Sequence, residues 1–400
     1  MPGFERFGDQ ERKEVQDVLD NGVLMRYGFD GMRNGHWKAK SLEQELQRTF
    51  NTKHAQLVSS GTAAVSVALA AAGVGAGDEV IMPTFTFVAS FEAITMLGAI
   101  PILVDIDATL TLDPKAVEAA ITPKTKAVMV VHMCGSMGNM DALQTICNAH
   151  NLLLLEDACQ AIGGTYNNKA LGSIGDLGCF SFDFVKTVTC GEGGAVITNN
   201  AEYYTNSDHY SDHGHDHVGN DRGAETHPFL GYNFRISELH AAVGLAQIKR
   251  LPEFLAVQKQ NYTILRDALS QIPEVTFRSV PEEGVESYAF LNFFLPDLES
   301  ARKASKGFKE QGVDVCFHYY DNNWHYVRRW EHLKNAKSLY PMSADIKKGL
   351  ESLSDKTFTQ SDHYIGRNIS ALIKLSWTEE EVNARAAKMV EVIKASIYLA

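Results

Sequence analysis

Through about residue 250 the chain alternates helix-like and strand-like blocks, and that alternation leaves few folds open. The strand-like blocks are short and almost wholly apolar, as in Lys126–His132 (KAVMVVH) and Leu152–Leu155 (LLLL). Apolar runs of this kind, separated by helix-length segments, describe parallel strands covered by helices on both faces. Gly61–Ala72 reads as an alanine-rich helix ended by Gly73, and Asp78–Met82 as a strand stopped by Pro83. Thr86–Leu97 reads as a helix and Pro101–Val104 as a strand. Asp113-Pro114 then opens another helix, with Asp as cap and Pro in the first turn. Lys126–His132 is a strand, Asp141–His150 a helix, and Leu152–Leu155 a strand ending in Glu156-Asp157. Cys179–Asp183 and Ala195–Thr198 complete the set, flanked by glycines.

Helical patterns over Ser237–Gln247 and from Pro252 to about Leu269 lead into a second unit. There Tyr288–Leu295 and Val313–Phe317 read as strands, and Ser300–Gln311 and Thr378–Tyr398 as helices. The expectation is an α/β large domain with a mostly parallel sheet over residues 1–252 and a smaller α+β domain over 253–400. A chain of 400 residues exceeds one ordinary core, and 45% hydrophobic residues supply two. No apolar run is long enough to span a bilayer, and the charged opening MPGFERFGDQERKEVQ lacks an apolar signal core. The six cysteines show no CxxC spacing and read as reduced thiols, so a cytoplasmic protein is expected. A formal net charge of −12 argues against a nucleic-acid partner.

Three segments carry the chemistry. In Phe180–Gly194 (FSFDFVKTVTCGEGG) a lysine follows a strand by a few residues. Lysine is usually a solvated surface charge. Lys186, however, stands among Phe182, Phe184, Val185 and Val188, surroundings that would desolvate it, favour the neutral amine and suit Schiff-base chemistry. Glu156-Asp157 ends an apolar strand, the edge at which open α/β sheets bind ligands. An acid there can cap a helix, face solvent, or pair with a buried cation such as the protonated ring nitrogen of pyridoxal phosphate, which it would keep electron-poor. Ser59-Ser60-Gly61-Thr62-Ala63 joins a strand to a helix, where free N–H groups and hydroxyls cap the helix or cradle a phosphate. Phosphate turn, acid and lysine, in that order, reinforce one another.

The stretches SSGTAA (59–64), MPTFTFVAS (82–90), EDACQAIGG (156–164), FSFDFVKTVTCGEGGAVITN (180–199) and GYNFRISELHAAVGLAQ (231–247) resemble the DegT/DnrJ/EryC1/StrS sugar aminotransferases over essentially the whole chain. The resemblance implies the fold type I architecture of aspartate aminotransferase and pyridoxal 5'-phosphate as cofactor. It implies that Lys186 forms the Schiff base, Asp157 pairs with the pyridine nitrogen and Gln160 bonds near the ring hydroxyl. Phe87 would stack on the ring, with Phe85 a rival, while Ser60, Gly61, Thr62 and Ser181 hold the phosphate. Asn233 would reach the phosphate of a neighbouring subunit, which implies a homodimer with shared active sites. Some relatives carry histidine in place of the lysine and dehydrate sugars. Retention of Lys186 favours transamination from L-glutamate to a keto-sugar over that chemistry, and over a non-catalytic regulator.

Residues 23–46 (VLMRYGFDGMRNGHWKAKSLEQEL) resemble the subgroup that makes 8-amino-3,8-dideoxy-manno-octulosonate for lipopolysaccharide; nucleotide-linked 4-keto or 3-keto sugars are the alternative substrates. The octulosonate carries a free carboxylate, so Arg26, Arg33 and Arg235 are candidate anchors, each of which could equally sit in an ion pair. In the histidine-rich loop Asp208–His217 no metal is expected, because its spacing fits no closed site. His213 and His215 could line the substrate mouth, and His318 is a candidate sugar contact or a structural histidine.

Overall fold

The computed structural model describes residues 2–398 apart from 220, 340 and 355. Seven strands form the main sheet: β1 His54–Val58, β2 Glu79–Pro83, β3 Ile100–Val104, β4 Thr125–Val131, β5 Leu153–Asp157, β6 Leu177–Ser181 and β7 Gly194–Thr198. Their order in space is β1-β7-β6-β5-β4-β2-β3. Strands β3, β2, β4, β5 and β6 run parallel, and β7 pairs antiparallel with both β6 and β1. Helices Gly61–Ala71, Val88–Met96 and Met140–His150 make crossovers and cover the faces. That explains the apolar runs Ala127–Val131 in β4 and Leu153–Leu155 in β5, which have no solvent side to accommodate. The direction of growth reverses between β2 and β4. Loops leaving the carboxyl ends of strands diverge there and open the crevice where such sheets hold ligands.

A second sheet comprises β8 Thr276–Phe277, β9 Phe290–Phe294, β10 Cys316–Phe317 and β11 Asn368–Leu372, in the antiparallel order β8-β9-β11-β10. Leu265, Phe293, Phe308, Ile369 and Met389 meet in its core. The strand expected over Val313–Phe317 shrinks to β10 because Val315 has φ of 51°, a left-handed conformation that breaks the extended run. The closing helix spans Glu379–Tyr398. Thr378 caps it reciprocally, its Oγ1 accepting from Glu381 N–H while Glu381 accepts from Thr378 N–H.

The division of the chain between the two units is not a single cut near residue 252. Leu251 packs in the large-unit core with Leu245, whereas Leu265 and Leu269 of the same helix pack in the small one. Further on, Tyr319, Tyr326, Trp330, Leu350 and Ile365 join Phe85, Phe91 and Leu103 in one cluster. The chain beyond β10 therefore returns across the carboxyl edge of the main sheet before re-entering the small unit at β11. That return brings residues 319–327 over the crevice.

Candidate active site

Asp157 ends β5, nearly fully buried. Its Oδ2 accepts from Ser90 Oγ at 2.7 Å and its Oδ1 from Cys159 N–H at 3.1 Å, which fix the carboxylate plane. Ser90 is itself held by Thr86 Oγ1 at 2.8 Å. Each carboxylate oxygen keeps a lone pair for a further donor. The preceding Glu156 faces another way: it accepts from the N–H groups of Gly172, Ile174 and Gly175 and contacts His132 Nε2 at 2.8 Å. One carboxylate shapes the scaffold while its neighbour is turned to the crevice.

Lys186 sits on a turn after β6, its N–H bonded to Asp183 carbonyl and its own carbonyl accepting from Gly3 N–H at 2.9 Å. Of the four apolar neighbours expected to enclose it, Phe182 and Val188 are buried, but Phe184 and Val185 are exposed. Phe184 stacks on Phe4, ring centroids 4.2 Å apart, because the turn directs successive side chains to opposite sides. The Lys186 charge nonetheless acts on His325, Cys134 and Cys159. Cys159 N–H binds Asp157, and Cys134 and His325 both contact Gln160, so the Lys186 charge is felt around these two residues.

Ser60 caps helix Gly61–Ala71, its Oγ accepting from Ala63 N–H at 3.0 Å. Gly61 lies so close to the end of β6 that a Cβ there would stand 2.6 Å from Ser181 Cβ. No side chain larger than hydrogen fits, and the helix N-terminus and Ser181 hydroxyl are thereby brought together. Thr62 is exposed beside them. Phe85 is fully buried against Tyr319, whereas Phe87 is 41% exposed and faces His325 with ring centroids 5.6 Å apart. Of the two aromatic rivals, only Phe87 has a free ring face. Gln160 lies across the crevice, its Oε1 accepting from Cys134 N–H. Asn233 is exposed, one residue before Phe234, whose carbonyl accepts from Ser59 N–H at 2.7 Å.

The arginines are placed differently. Arg26 is buried with Nη2 at 2.5 and 2.6 Å from the two oxygens of Glu43. Arg33, also buried, donates to the Gly28 and Met25 carbonyls and lies 3.4 Å from Glu238. Both guanidiniums are engaged in holding residues 25–43 together and are withdrawn from any substrate. Arg235 pairs with Asp212, which also receives His217 and Arg222. His213 is exposed, and His215 lies 2.8 Å from Glu225. His318 is turned into the small unit, contacting the Gly366 carbonyl at 2.9 Å and Asp321 at 3.4 Å, where burial favours its neutral form. The imidazole beside Gln160 and Phe87 is that of His325, which no sequence motif marks.

A buried, immobilised acid, a lysine whose charge is felt beside it, a helix N-terminus with hydroxyls and a half-exposed aromatic ring suit one kind of ligand. That ligand is an aromatic cation bearing an aldehyde and a phosphate. The family model for the DegT/DnrJ/EryC1/StrS aminotransferases matches residues 6–363. Among relatives, a 3-amino-5-hydroxybenzoate synthase of Amycolatopsis mediterranei is 37% identical over 309 residues, 76% of each chain. A GDP-perosamine synthase of Caulobacter vibrioides is 43% identical over 221 residues, 54% of this chain and 58% of that one. Solved structures include an aminotransferase from Psychrobacter cryohalolentis, with TM-score 0.84, 27% identity and 98% of both chains covered. A 3-amino-5-hydroxybenzoic acid synthase has TM-score 0.80 at 30% identity over 97% of both chains. The chain belongs to the DegT/DnrJ/EryC1/StrS aminotransferase family and is a pyridoxal-phosphate-dependent aminotransferase.

Proposed function

We propose that the enzyme transfers the amino group of L-glutamate to a keto-sugar. What supports this is the buried Asp157 carboxylate, immobilised by Ser90 and Cys159 N–H, with the Lys186 charge felt at that same Cys159. Bound there, pyridoxal phosphate supplies an electron sink for the carbanion at the amino-acid Cα. The Lys186 amine would hold the group at its aldehyde carbon and would take the proton from the Cα of the amino donor. Asp157 keeps the ring nitrogen protonated. Gln160 would donate to the ring hydroxyl, Phe87 would cover one ring face, and Ser60, Gly61, Thr62 and Ser181 would receive the phosphate.

Asn233 of each protomer completes the phosphate site of its partner in a homodimer. The exposed apolar side chains Phe184, Val185, Leu230 and Tyr232 around these loops, Leu230 at 91%, support a covering second copy.

For the acceptor we propose 8-oxo-3,8-dideoxy-manno-octulosonate, with its carboxylate received at the rim by Arg235 and Arg222. Beside Asp212 their side chains stay partly exposed, Arg222 at 36% and Arg235 at 19%. The resemblance of residues 23–46 to that subgroup supports the same choice. A panel comparing this substrate with a nucleotide-linked 4-keto sugar, read as 2-oxoglutarate release, tests it; preference for the nucleotide sugar overturns the octulosonate assignment and leaves keto-sugar transamination standing.

A further inference from the structure

His325 arrives from the small unit on a backbone fastened to the main sheet. Thr86 N–H donates to the His325 carbonyl at 2.9 Å, Val327 N–H to the Thr84 carbonyl at 3.2 Å, and Phe85 and Tyr326 form an antiparallel bridge. Its ring is wedged among Tyr319, Trp324 and Phe87, with centroids 4.7, 5.0 and 5.6 Å away, and only 6% of the residue is exposed. An imidazole so closely held has one orientation.

Hydrogen-bond logic then fixes its tautomer. Cys134 N–H can only donate, so the Gln160 atom 3.1 Å from it must be the carbonyl Oε1. The Gln160 amide nitrogen is therefore the atom 3.2 Å from His325 Nε2. An amide NH2 only donates, so Nε2 accepts and the ring proton resides on Nδ1, which is buried with no partner among the described residues. Burial, and then the Lys186 charge, push the imidazole down to about 3, so it stays a neutral acceptor throughout the working range. Gln160 is thus gripped at both ends. Of its two amide hydrogens, one is committed to His325 and one remains.

We infer that His325 is a positioning residue: its Nε2 orients the Gln160 amide so that the remaining N–H points at the ring hydroxyl of the cofactor. The inference rests on the assignment of Gln160 to that hydroxyl made above. Nothing in the sequence motifs around Gln160 contains this residue, which lies 165 positions away.

The test uses full-length apoenzyme reconstituted with pyridoxal phosphate, following the equilibrium dissociation constant, the visible band and the pH midpoint of that band. Gln160→Ala and His325→Ala should each weaken cofactor binding by about three- to tenfold, the scale of one hydrogen bond. Both should move the midpoint in the same direction, and the double variant should be no worse than either single one. His325→Gln, whose carbonyl replaces the Nε2 acceptor, should restore the band, while His325→Asn should not. Additive effects in the double variant, or rescue by Asn rather than Gln, would overturn the inference and assign the work to Nδ1 instead. Should His325→Ala fail to fold, the Gln and Asn variants decide between the same outcomes. A wild-type protein with no visible band, or a band that survives in Lys186→Ala, would defeat the underlying reading and this one together. A normal wild-type band with indifferent His325 variants defeats this one alone.

Discussion

The end of β5 and the segment spanning residues 23–46, a turn-rich stretch running into the helix Lys38–Phe50, both bury charge, yet they do opposite things with it. At Glu156-Asp157 one carboxylate is saturated by three backbone N–H groups and a histidine, while its neighbour holds two partners and keeps capacity for another. In that segment, Arg26 with Glu43, Arg33 with Glu238 and Lys38 with Glu14 and Asp17 are matched within the fold. A buried charge matched within its own scaffold stabilises or specifies structure, whereas one with unfilled capacity beside a crevice is set up for a ligand.

Substitutions at the two places should therefore separate activity from stability. Lys186→Ala should lower turnover by about a thousandfold or more, the scale of losing a positioned base, with the melting curve of the apoenzyme unchanged. Asp157→Asn should cost on the order of a hundredfold in kcat with glutamate, since the amide preserves shape but not charge. In the segment 23–46 the effect should invert. Arg26→Met leaves Glu43 buried without its partner and should cost about 3–5 kcal/mol of stability in denaturant titration, while the folded fraction keeps its specific activity. Equal losses of activity at Arg26 and Lys186 would erase the distinction.

The smallest effect concerns pH. Burial alone would lower the His217 imidazole, but hydrogen bonds to Asp208 and Asp212 prevail and raise it to about 9. A histidine raised on folding contributes stability that is complete below its ordinary value of 6.5 and is lost as pH climbs through about 9. Thermal melting between pH 6 and 10 should show that decline, and His217→Gln should flatten it.

The sheet and the Gly61 turn were legible because periodicity and local motifs lie within a few residues of one another. Phe87 and Phe85 were not separable by sequence, since which ring is buried depends on Tyr319, more than 200 positions away. The arginines were misleading for the same reason: whether a guanidinium is free depends on distant partners, and Glu238 meets Arg33 only in three dimensions. His325 was invisible because the return of residues 319–365 over the main sheet carries no pattern of its own.

Two fastenings described above, Ser59 to Phe234 and Thr86 to His325, tie the crevice to stretches that follow it far along the chain. During synthesis the strand bearing the acid and the turn bearing the lysine emerge first, and the pocket stays unwalled until the segment around residue 325 has left the ribosome.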